Sequence, residues 1–335
     1  MKERCKVLGT RIQVIGCGNG GGNTVNRIEE IGLFCGETIV INTDRSNVEA
    51  VNADKKILIG RELTSGLGTS GSVELGKICG EMAKDELSEI INSDLAFVIA
   101  CLGGGTGTGI APIVAKTIRK SGGFVVGIAT LPFQLERARL RYAYEGLEKL
   151  RKEANGVIVI DNNSFSAFGH NLPIHRVFSL IDQLIGEIVI AITDTLTFPS
   201  IISFDLADMK KIVNGNKIGI VLYGESYTNE TGKVVSEAIN HPLLDIDYTC
   251  ATGSLIHITG GNDLTPKKVQ QIADCLTYGL NAEVIIGAKV ATDYEGRIRV
   301  VGIMTGIPTS HIVCCLHLSN HQISPIQSII GGYSI

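Results

Sequence analysis

Residues 103–109 read Gly103-Gly104-Gly105-Thr106-Gly107-Thr108-Gly109, the strongest indication of fold and ligand in this sequence. It follows an apolar run at 95–100, typical of a buried strand, and leads into a helical pattern at 108–120. Glycine costs chain entropy and adds no packing, so five glycines in seven residues indicate backbone that must approach a ligand closely. A glycine-rich turn that opens a helix favours anions, because backbone N–H groups and the helix dipole face them.

A second glycine-rich turn follows the strand predicted at 11–15. It reads Gly16-Cys17-Gly18-Asn19-Gly20-Gly21-Gly22-Asn23. Alone it also matches the dinucleotide fingerprint, with Asp44 as the ribose acid of a nicotinamide-dependent oxidoreductase, or a plain tight strand–helix turn. Two anion-binding turns on one sheet edge instead favour a nucleotide with a longer phosphate chain. The chain has no G-x-x-x-x-G-K-[ST] motif, which excludes a P-loop protein.

Strand and helix patterns alternate through the first half of the chain, which predicts an α/β fold with a Rossmann-like parallel sheet covered on both faces. Strands are predicted at 11–15, 38–41, 95–100, 124–129 and 157–160, and helices at 20–32, 72–92, 108–120 and 137–153. A long central helix follows at 176–196 with an apolar stripe wide enough for contacts on more than one side. Beyond it, strands at 217–223, 254–259, 283–290 and 297–303 alternate with helices at 230–240 and 265–278, as in a smaller mixed-sheet α/β domain.

Composition excludes several classes of protein. The net charge is −4 and no long basic run occurs, so nucleic-acid binding is not supported. The nine cysteines form no C-x-x-C pair, which favours free thiols in a reducing, cytoplasmic compartment. The uncharged segment 95–115 is long enough to span a bilayer, but its glycine-rich centre would expose backbone to lipid, so no direct membrane insertion is expected.

The stretch 103–109 resembles the signature loop of the tubulin/FtsZ family. Further stretches resemble FtsZ in the same order and extend the similarity over residues 10–307, most of all to archaeal members; they begin at Asn42, Leu63, Thr130, Ile192, Phe204, Ile258 and Gly296. The resemblance implies a GTPase that binds GTP or GDP, with Mg²⁺ accompanying GTP. It further implies head-to-tail filaments at the division site, with membrane-tethering division proteins as unidentified partners.

The same resemblance divides the chain into four regions. These are a GTP-binding domain at 1–175, a connecting helix at 176–198, a C-terminal GTPase-activating and polymerisation domain at 199–309, and an uncharged tail at 310–335. The tail holds His311, Cys314, Cys315, His317 and His321, whose spacing matches no standard metal module, so no metal site is predicted.

By this resemblance the nucleotide contacts can be assigned to positions in the sequence. Phosphates and base would lie against Asn19, Gly20, Gly21 and Asn23, and the terminal phosphates against Gly104, Gly105, Thr106, Gly107 and Thr108. Glu136 would contact the ribose, although a helix-opening carboxylate is more often only solvated. One residue of the usual pattern is missing after Glu136, so Arg139 or Arg141 could neutralise phosphate charge, and Arg139 is preferred.

Recognition of the base is predicted on the long helix. Asp182 matches the acid that recognises guanine, and a carboxylate accepts from the N1–H and N2–H₂ donors that guanine offers. Phe178 lies four residues earlier on the same helical face. Its ring either stacks on the base or packs into the core.

Hydrolysis is assigned by the resemblance to Asp205 and Asp208, three residues apart at a helix start. The long helix places them ~30 Å from the phosphates of their own subunit, so they would act on the next subunit's nucleotide. Capping of the helix alone is the competing interpretation. Ser203 stands where the family usually has Asn, which predicts slow turnover and keeps a weakly or non-hydrolysing filament protein as the alternative.

Overall fold

The computed structural model describes residues 10–166, 172–198, 201–227, 230–240, 250–278 and 280–308. The tail 310–335, with its cysteines and histidines, lies outside the described residues. Within them, ten strands form one continuous sheet in the order β3-β2-β1-β4-β5-β6-β7-β10-β8-β9.

The first six strands form the parallel half of this sheet. They are β1 (Ile12–Cys17), β2 (Glu37–Asn42), β3 (Lys55–Leu58), β4 (Leu95–Cys101), β5 (Phe124–Leu131) and β6 (Gly156–Asp161). All neighbours in this half run parallel, as the sequence predicts. The strand order reverses at β1, which lies between β2 and β4. A crevice therefore opens beyond the carboxyl ends of β1 and β4, where ligands of such sheets bind.

Eight helices accompany these strands in the described chain. They are α1 (Gly18–Ile31), α2 (Arg45–Ala50), α3 (Arg61–Thr64), α4 (Val73–Met82), α5 (Lys84–Ile90), α6 (Gly105–Lys120), α7 (Arg137–Glu153) and α8 (Asn162–Ser166). The single helix predicted at 72–92 is wrong: α4 and α5 meet at Ala83. Helix α1 begins at Gly18 and α6 at Gly105, so both helices include glycines of the turns and start two to three residues earlier than predicted.

The long helix α9 (Ile174–Thr197) crosses both halves of the sheet. Its buried stripe, which includes Val177, Ile181 and Ile188, belongs to the same apolar core as Phe97 of β4 and Val301 of the second half. The stripe of α9 thus packs against both halves of the sheet within one core. The opposite face of the sheet is covered by α4 to α7 and by two helices of the second half.

The second half begins after α9 and is mixed, as predicted. Its elements are α10 (Leu206–Val213), β7 (Lys217–Tyr227), α11 (Thr231–Ile239), β8 (Gly253–Gly260), α12 (Pro266–Thr277), β9 (Glu283–Val290), a 3-10 helix (Thr292–Tyr294) and β10 (Arg297–Ile307). β10 runs antiparallel to β7 and β8, whereas β8 and β9 are parallel. The two halves are joined by parallel pairing of β6 with β7.

The state of the cysteines and the hydropathy of the helices bear on two further predictions. Cys17, Cys79, Cys101 and Cys275 are free thiols, but Cys35 is in a disulfide, so the prediction that all cysteines are free is wrong. Sequence spacing shows only adjacent pairs and cannot show such a bond. Among the described helices, none combines the length and hydropathy needed to cross a bilayer.

Candidate nucleotide-binding site

A cavity of about 460 Å³ opens beyond the carboxyl ends of β1 and β4. Its size lies within the range of small-molecule sites. The structure brings eleven of the thirteen predicted nucleotide contacts to its lining: Asn19, Gly20, Asn23, Gly104, Gly105, Thr106, Gly107, Glu136, Arg139, Phe178 and Asp182. Predicted contact residues from widely separated parts of the sequence, from Asn19 to Asp182, therefore meet at one site.

The two glycine-rich turns interlock at the cavity floor. Gly18 has φ +72°, and a Cβ on it would lie 2.7 Å from the amide nitrogen of Gly107. A Cβ on Gly107 would lie 2.9 Å from the carbonyl oxygen of Cys17. Only glycine at both positions allows this approach, so one turn cannot be substituted without displacing the other.

Both helices that begin at these turns have uncapped N-termini. Among the described side chains none caps α1 at Cys17 or α6 at Gly104, and neither first turn carries an acid. The first N–H groups of an α-helix have no intrahelical acceptor. Two helix N-termini therefore offer donors and positive dipole ends to the same cavity, which suits a chain of phosphates.

A third loop, at 67–71, closes the cavity and was not predicted from the sequence. Leu67, Gly68, Thr69, Ser70 and Gly71 all line it. The signal available in the sequence is the pair of glycines, which have φ +80° and +84° here. Since such backbone is rare for other residues, the glycines mark a turn that folds back over the site.

A buried cluster of hydroxyls fixes this loop to the rest of the site. The Oγ1 atom of Thr106 on α6 lies 2.8 Å from that of Thr43 and 3.2 Å from that of Thr69. All three threonines are buried. Thr106 thus joins the ends of three segments, and its position in the glycine-rich turn has a structural reason besides contact with a ligand.

Asp182 lies at the α9 side of the cavity beside α1. Its Oδ1 accepts a hydrogen bond of 2.5 Å from the hydroxyl of Thr24. Burial raises the pKa of this carboxyl to about 6, and Thr24 and the charge of Arg27 partly oppose that rise. A carboxyl group with this pKa exchanges its proton near neutral pH. A ligand with two N–H donors would stabilise its ionised form.

Phe178 reaches the cavity with one side of its ring open. The ring makes an edge-on contact with Phe133 at a centroid distance of 5.6 Å, and 42% of the residue is exposed. Full packing into the core is therefore wrong for this side chain. An aromatic ring that is supported on one side and exposed on the other can stack on a base.

Glu136 and Arg139 form an ion pair at the cavity mouth. Oε2 of Glu136 lies 2.7 Å from a terminal nitrogen of Arg139, and Oε1 accepts from the backbone N–H of Phe133 at 3.2 Å. Glu136 is thus held rather than only solvated. Arg141, the other candidate for contact with phosphate, pairs with Glu145 and is not part of the cavity lining.

Asn162 is a lining residue that sequence reasoning missed. It follows β6 directly and is buried, and its Oδ1 has no hydrogen-bond partner among the described residues. A buried acceptor without a partner costs free energy unless a ligand or water supplies a donor. Its only signal in the sequence is a polar side chain at the carboxyl end of a strand.

Two predicted contact residues support the site without lining the cavity. Gly21 is buried against the carbonyl oxygen of Ile99, where a Cβ would collide. The hydroxyl of Thr108 accepts from the backbone N–H of Gly103 at 2.9 Å. Neither lines the cavity as the structure describes it.

Asp205 and Asp208 lie elsewhere and are not in the cavity lining. They form a reciprocal capping box at the start of α10: Oδ1 of Asp205 accepts from the N–H of Asp208 at 2.8 Å, and Oδ2 of Asp208 accepts from the N–H of Asp205 at 3.2 Å. The hydrogen bond from the backbone N–H of Asp205, together with Lys211 at 3.3 Å, lowers the pKa of Asp208. The capping interpretation therefore describes both residues within a single chain.

Comparison with known proteins finds two family domains in the chain. Residues 11–169 match the family model described as the GTPase domain of the tubulin/FtsZ family. Residues 218–308 match the C-terminal domain of the FtsZ family. Cell division protein FtsZ 2 of Halobacterium salinarum is 47% identical over 307 residues, which are 90% of this chain and 78% of that protein. The chain belongs to the FtsZ family.

Other FtsZ proteins extend this finding to structure. FtsZ 2 of Methanocaldococcus jannaschii is 46% identical over 310 residues, covering 90% of this chain and 82% of that protein. A solved FtsZ dimer of M. jannaschii, described as empty, superposes with a TM-score of 0.84 at 36% identity and covers 92% of each chain. The FtsZ fold predicted from the sequence is confirmed, and the oxidoreductase alternative is wrong because the matched domain is a GTPase domain.

Proposed function

We propose that this FtsZ-family chain binds GTP in the described cavity, assembles head to tail, and hydrolyses the nucleotide with acids of the neighbouring subunit. The observation that supports this most strongly is a separation: the cavity holds anion-binding helix ends and base-recognition groups, whereas the capped acids Asp205 and Asp208 are not part of it.

In this proposal different elements of the cavity contact different parts of the nucleotide. The phosphates lie against the N-termini of α1 and α6, with Arg139 adding positive charge. Asp182 and Asn162 accept from the donors of guanine, and Phe178 stacks on the ring. Mg²⁺ would accompany the phosphates and offset their charge. No group of three or more His, Cys, Asp or Glu that could hold a metal occurs in the described part of the chain, so phosphate and water would supply most of its ligands.

The length of α9 argues that the acids act between subunits. From Asp182 to Thr197 the helix axis extends about 22 Å at 1.5 Å per residue, and Asp205 lies beyond that end. Because neither acid lines the cavity, the proposal has them act on a nucleotide bound to another subunit. A contact between two different surfaces, repeated along an open array, gives a filament. The M. jannaschii structure described as an FtsZ dimer supports association between copies.

The capping box suits the role proposed for the acids. Its reciprocal hydrogen bonds fix both carboxyl groups, and the lowered pKa of Asp208 keeps that group charged. A fixed carboxylate can orient an attacking water, and positioning supplies most of the catalysis in phosphoryl transfer. Capping and catalysis are thus compatible.

The biological role follows by analogy with relatives named cell division proteins. We propose a cytoplasmic filament that acts at the division site, with membrane-tethering partners. A weakly hydrolysing or non-hydrolysing filament protein is the second candidate, and Ser203 is the observation that favours it. Ser203 is exposed two residues before Asp205, and its side chain reaches less far than the usual Asn.

The test is phosphate release from GTP as a function of protein concentration. Turnover per molecule should rise with concentration, and Asp205→Ala should lose it while still binding GTP. Filaments collected by sedimentation with GTP, but without turnover in the unsubstituted chain, would favour the second candidate. Equal turnover per molecule at all concentrations would contradict the proposal.

A further inference from the structure

The segment that precedes Asp205 is attached to the outer edge of the sheet. The N–H of Ile202 donates to the carbonyl oxygen of Ala288 at 3.2 Å, and the N–H of Ala288 donates to that of Ile202 at 2.8 Å. Ala288 belongs to β9, the last strand in the sheet order. Two hydrogen bonds therefore fix the backbone three residues before the first acid.

Phe204 adds a buried side-chain anchor next to this bridge. The residue is 3% exposed and directly precedes Asp205. Its ring lies over Gly287, the neighbour of Ala288 on β9: a Cβ on Gly287 would lie 3.1 Å from both Cδ1 and Cε1 of Phe204. The missing side chain of Gly287 leaves the space that the ring uses.

His257 forms the other wall of this space. It pairs with Gly287 across β8 and β9, and the same Cβ would lie 3.2 Å from its Cδ2. Burial, with the charges of Arg299 and Lys289, lowers the pKa of His257 to about 3, so the ring is neutral at physiological pH. The buried ring of Phe204 and the neutral imidazole of His257 therefore both border the space beside Gly287.

Gly287 is needed here for space and not for backbone conformation. It is not among the glycines with positive φ, so alanine fits its backbone. An added methyl group at 3.1–3.2 Å is tighter than ordinary carbon contacts, and the Phe204 ring would have to move by a small distance. Any such movement reaches Asp205, because the two residues are adjacent.

We propose that Gly287 and Phe204 are positioning residues for GTP hydrolysis: the ring, packed in the space that Gly287 leaves on β9, sets where α10 begins and so where Asp205 and Asp208 face the neighbouring nucleotide. This inference rests on the proposed function. It adds a determinant on β9, outside both the nucleotide cavity and the acid pair.

The first test is Gly287→Ala in the full chain, assayed for GTP turnover above the assembly threshold. We expect kcat to fall about tenfold, because small misplacement of a catalytic group is costly, with unchanged KM and unchanged GDP affinity. Gly232→Ala on α11 is the matched control, since a Cβ there meets no atom within 4 Å. The control should keep the turnover of the unsubstituted chain.

Phe204→Leu supplies the second variant and a rescue. Alone it leaves space beside Gly287, so kcat should fall about fivefold as the start of α10 loosens. Combined with Gly287→Ala, the smaller side chain makes room for the methyl group, and kcat should exceed that of Gly287→Ala alone. A merely structural role would lower thermal stability in each variant without this recovery of kcat.

The outcomes separate this inference from the proposed function. If Asp205→Ala loses turnover while Gly287→Ala and Phe204→Leu keep it, the positioning role is wrong and the proposed function stands. If Asp205→Ala keeps turnover, the proposed function itself fails. Should Gly287→Ala not fold, Phe204→Leu decides alone: normal kcat overturns the inference, and lowered kcat with unchanged KM supports it.

Discussion

Asp182 shows how one buried side chain can couple ligand binding to pH. Its carboxyl is removed from water between α1 and α9, so its pKa rises from 3.8 to about 6, although a hydrogen bond from Thr24 favours the charged form. In the proposed complex guanine needs the carboxylate, since its N1–H and N2–H₂ groups are donors. Protons and guanine therefore compete for the same group.

The sign of the pH effect follows from this competition. Above about pH 6 the group is already charged in the empty protein, and GDP affinity should be flat. Below it, affinity should fall, approaching about tenfold per pH unit. Titration of GDP between pH 5 and 7.5 measures this. Thr24→Val should move the midpoint upward, and Asp182→Asn should bind weakly with no slope. A flat profile in the unsubstituted chain would contradict the assignment of Asp182.

Ser203 is the residue that gives reason to expect slow hydrolysis. It is exposed between Ile202 and Phe204, where a longer amide side chain could reach further toward a neighbouring subunit. Ser203→Asn should raise kcat by up to ~10²-fold without changing GDP affinity. Steady-state phosphate release at one fixed concentration above assembly tests this. Unchanged turnover would remove Ser203 as the cause of slow hydrolysis.

Residue patterns predicted the two glycine-rich turns, because a requirement for close backbone approach is visible as glycine itself. The loop at 67–71 and Asn162 were missed, since tertiary folding brings them to the cavity from distant parts of the sequence. The break at Ala83 was also missed. Alanine favours helix, and neither glycine nor proline marks the end of α4.

At the scale of elements, α9 connects the nucleotide cavity to the mixed half of the sheet. Its first half carries Phe178 and Asp182, and its last turns carry Asp194, whose Oδ2 lies 2.8 Å from Nζ of Lys289 on β9. Both side chains are largely buried, at 24% exposure for the lysine and 15% for the aspartate. This ion pair fixes the C-terminal part of α9 against β9.

Removing one partner should leave the other charge buried and unpaired. Lys289→Met is expected to lower the free energy of unfolding by about 2–4 kcal/mol. The double variant Asp194→Asn/Lys289→Met should lose less than the sum of the two single variants, because the unpaired charge is absent from it. Urea unfolding of the unsubstituted chain, the two single variants and the double variant measures the coupling. Strictly additive losses of unfolding free energy would show that the pair is not coupled.

The arrangement of elements was predicted in outline because α9 has a continuous apolar stripe and the strands alternate with helices. Periodicity could not show that β6 pairs with β7 and so makes one sheet of both halves. Strand pairing depends on neighbours far apart in the chain, which apolar runs alone do not specify. β3 was missed because it is only four residues long and begins with two lysines, so it shows no apolar run.

At the scale of the whole molecule, the nucleotide cavity and the acids belong to different surfaces. The cavity lies at the carboxyl edge of the parallel strands, and the capping box follows the far end of α9. If each surface is useless alone, activity belongs to a joint between two copies. In the proposed function one half of the chain binds the nucleotide, and the other half completes the site of its neighbour.

A mixture of two inactive variants tests whether the active site is shared between subunits. Asp205→Ala keeps the cavity and loses an acid, whereas Asp182→Ala loses the guanine acceptor and keeps the acids. Neither alone should turn over GTP, but a mixture should, since a joint in which the acids of one face the cavity of the other is complete. Phosphate release should be greatest near equal amounts and vanish at either extreme. A mixture that stays inactive at every ratio, while unsubstituted chain at the same total concentration is active, would contradict the shared site.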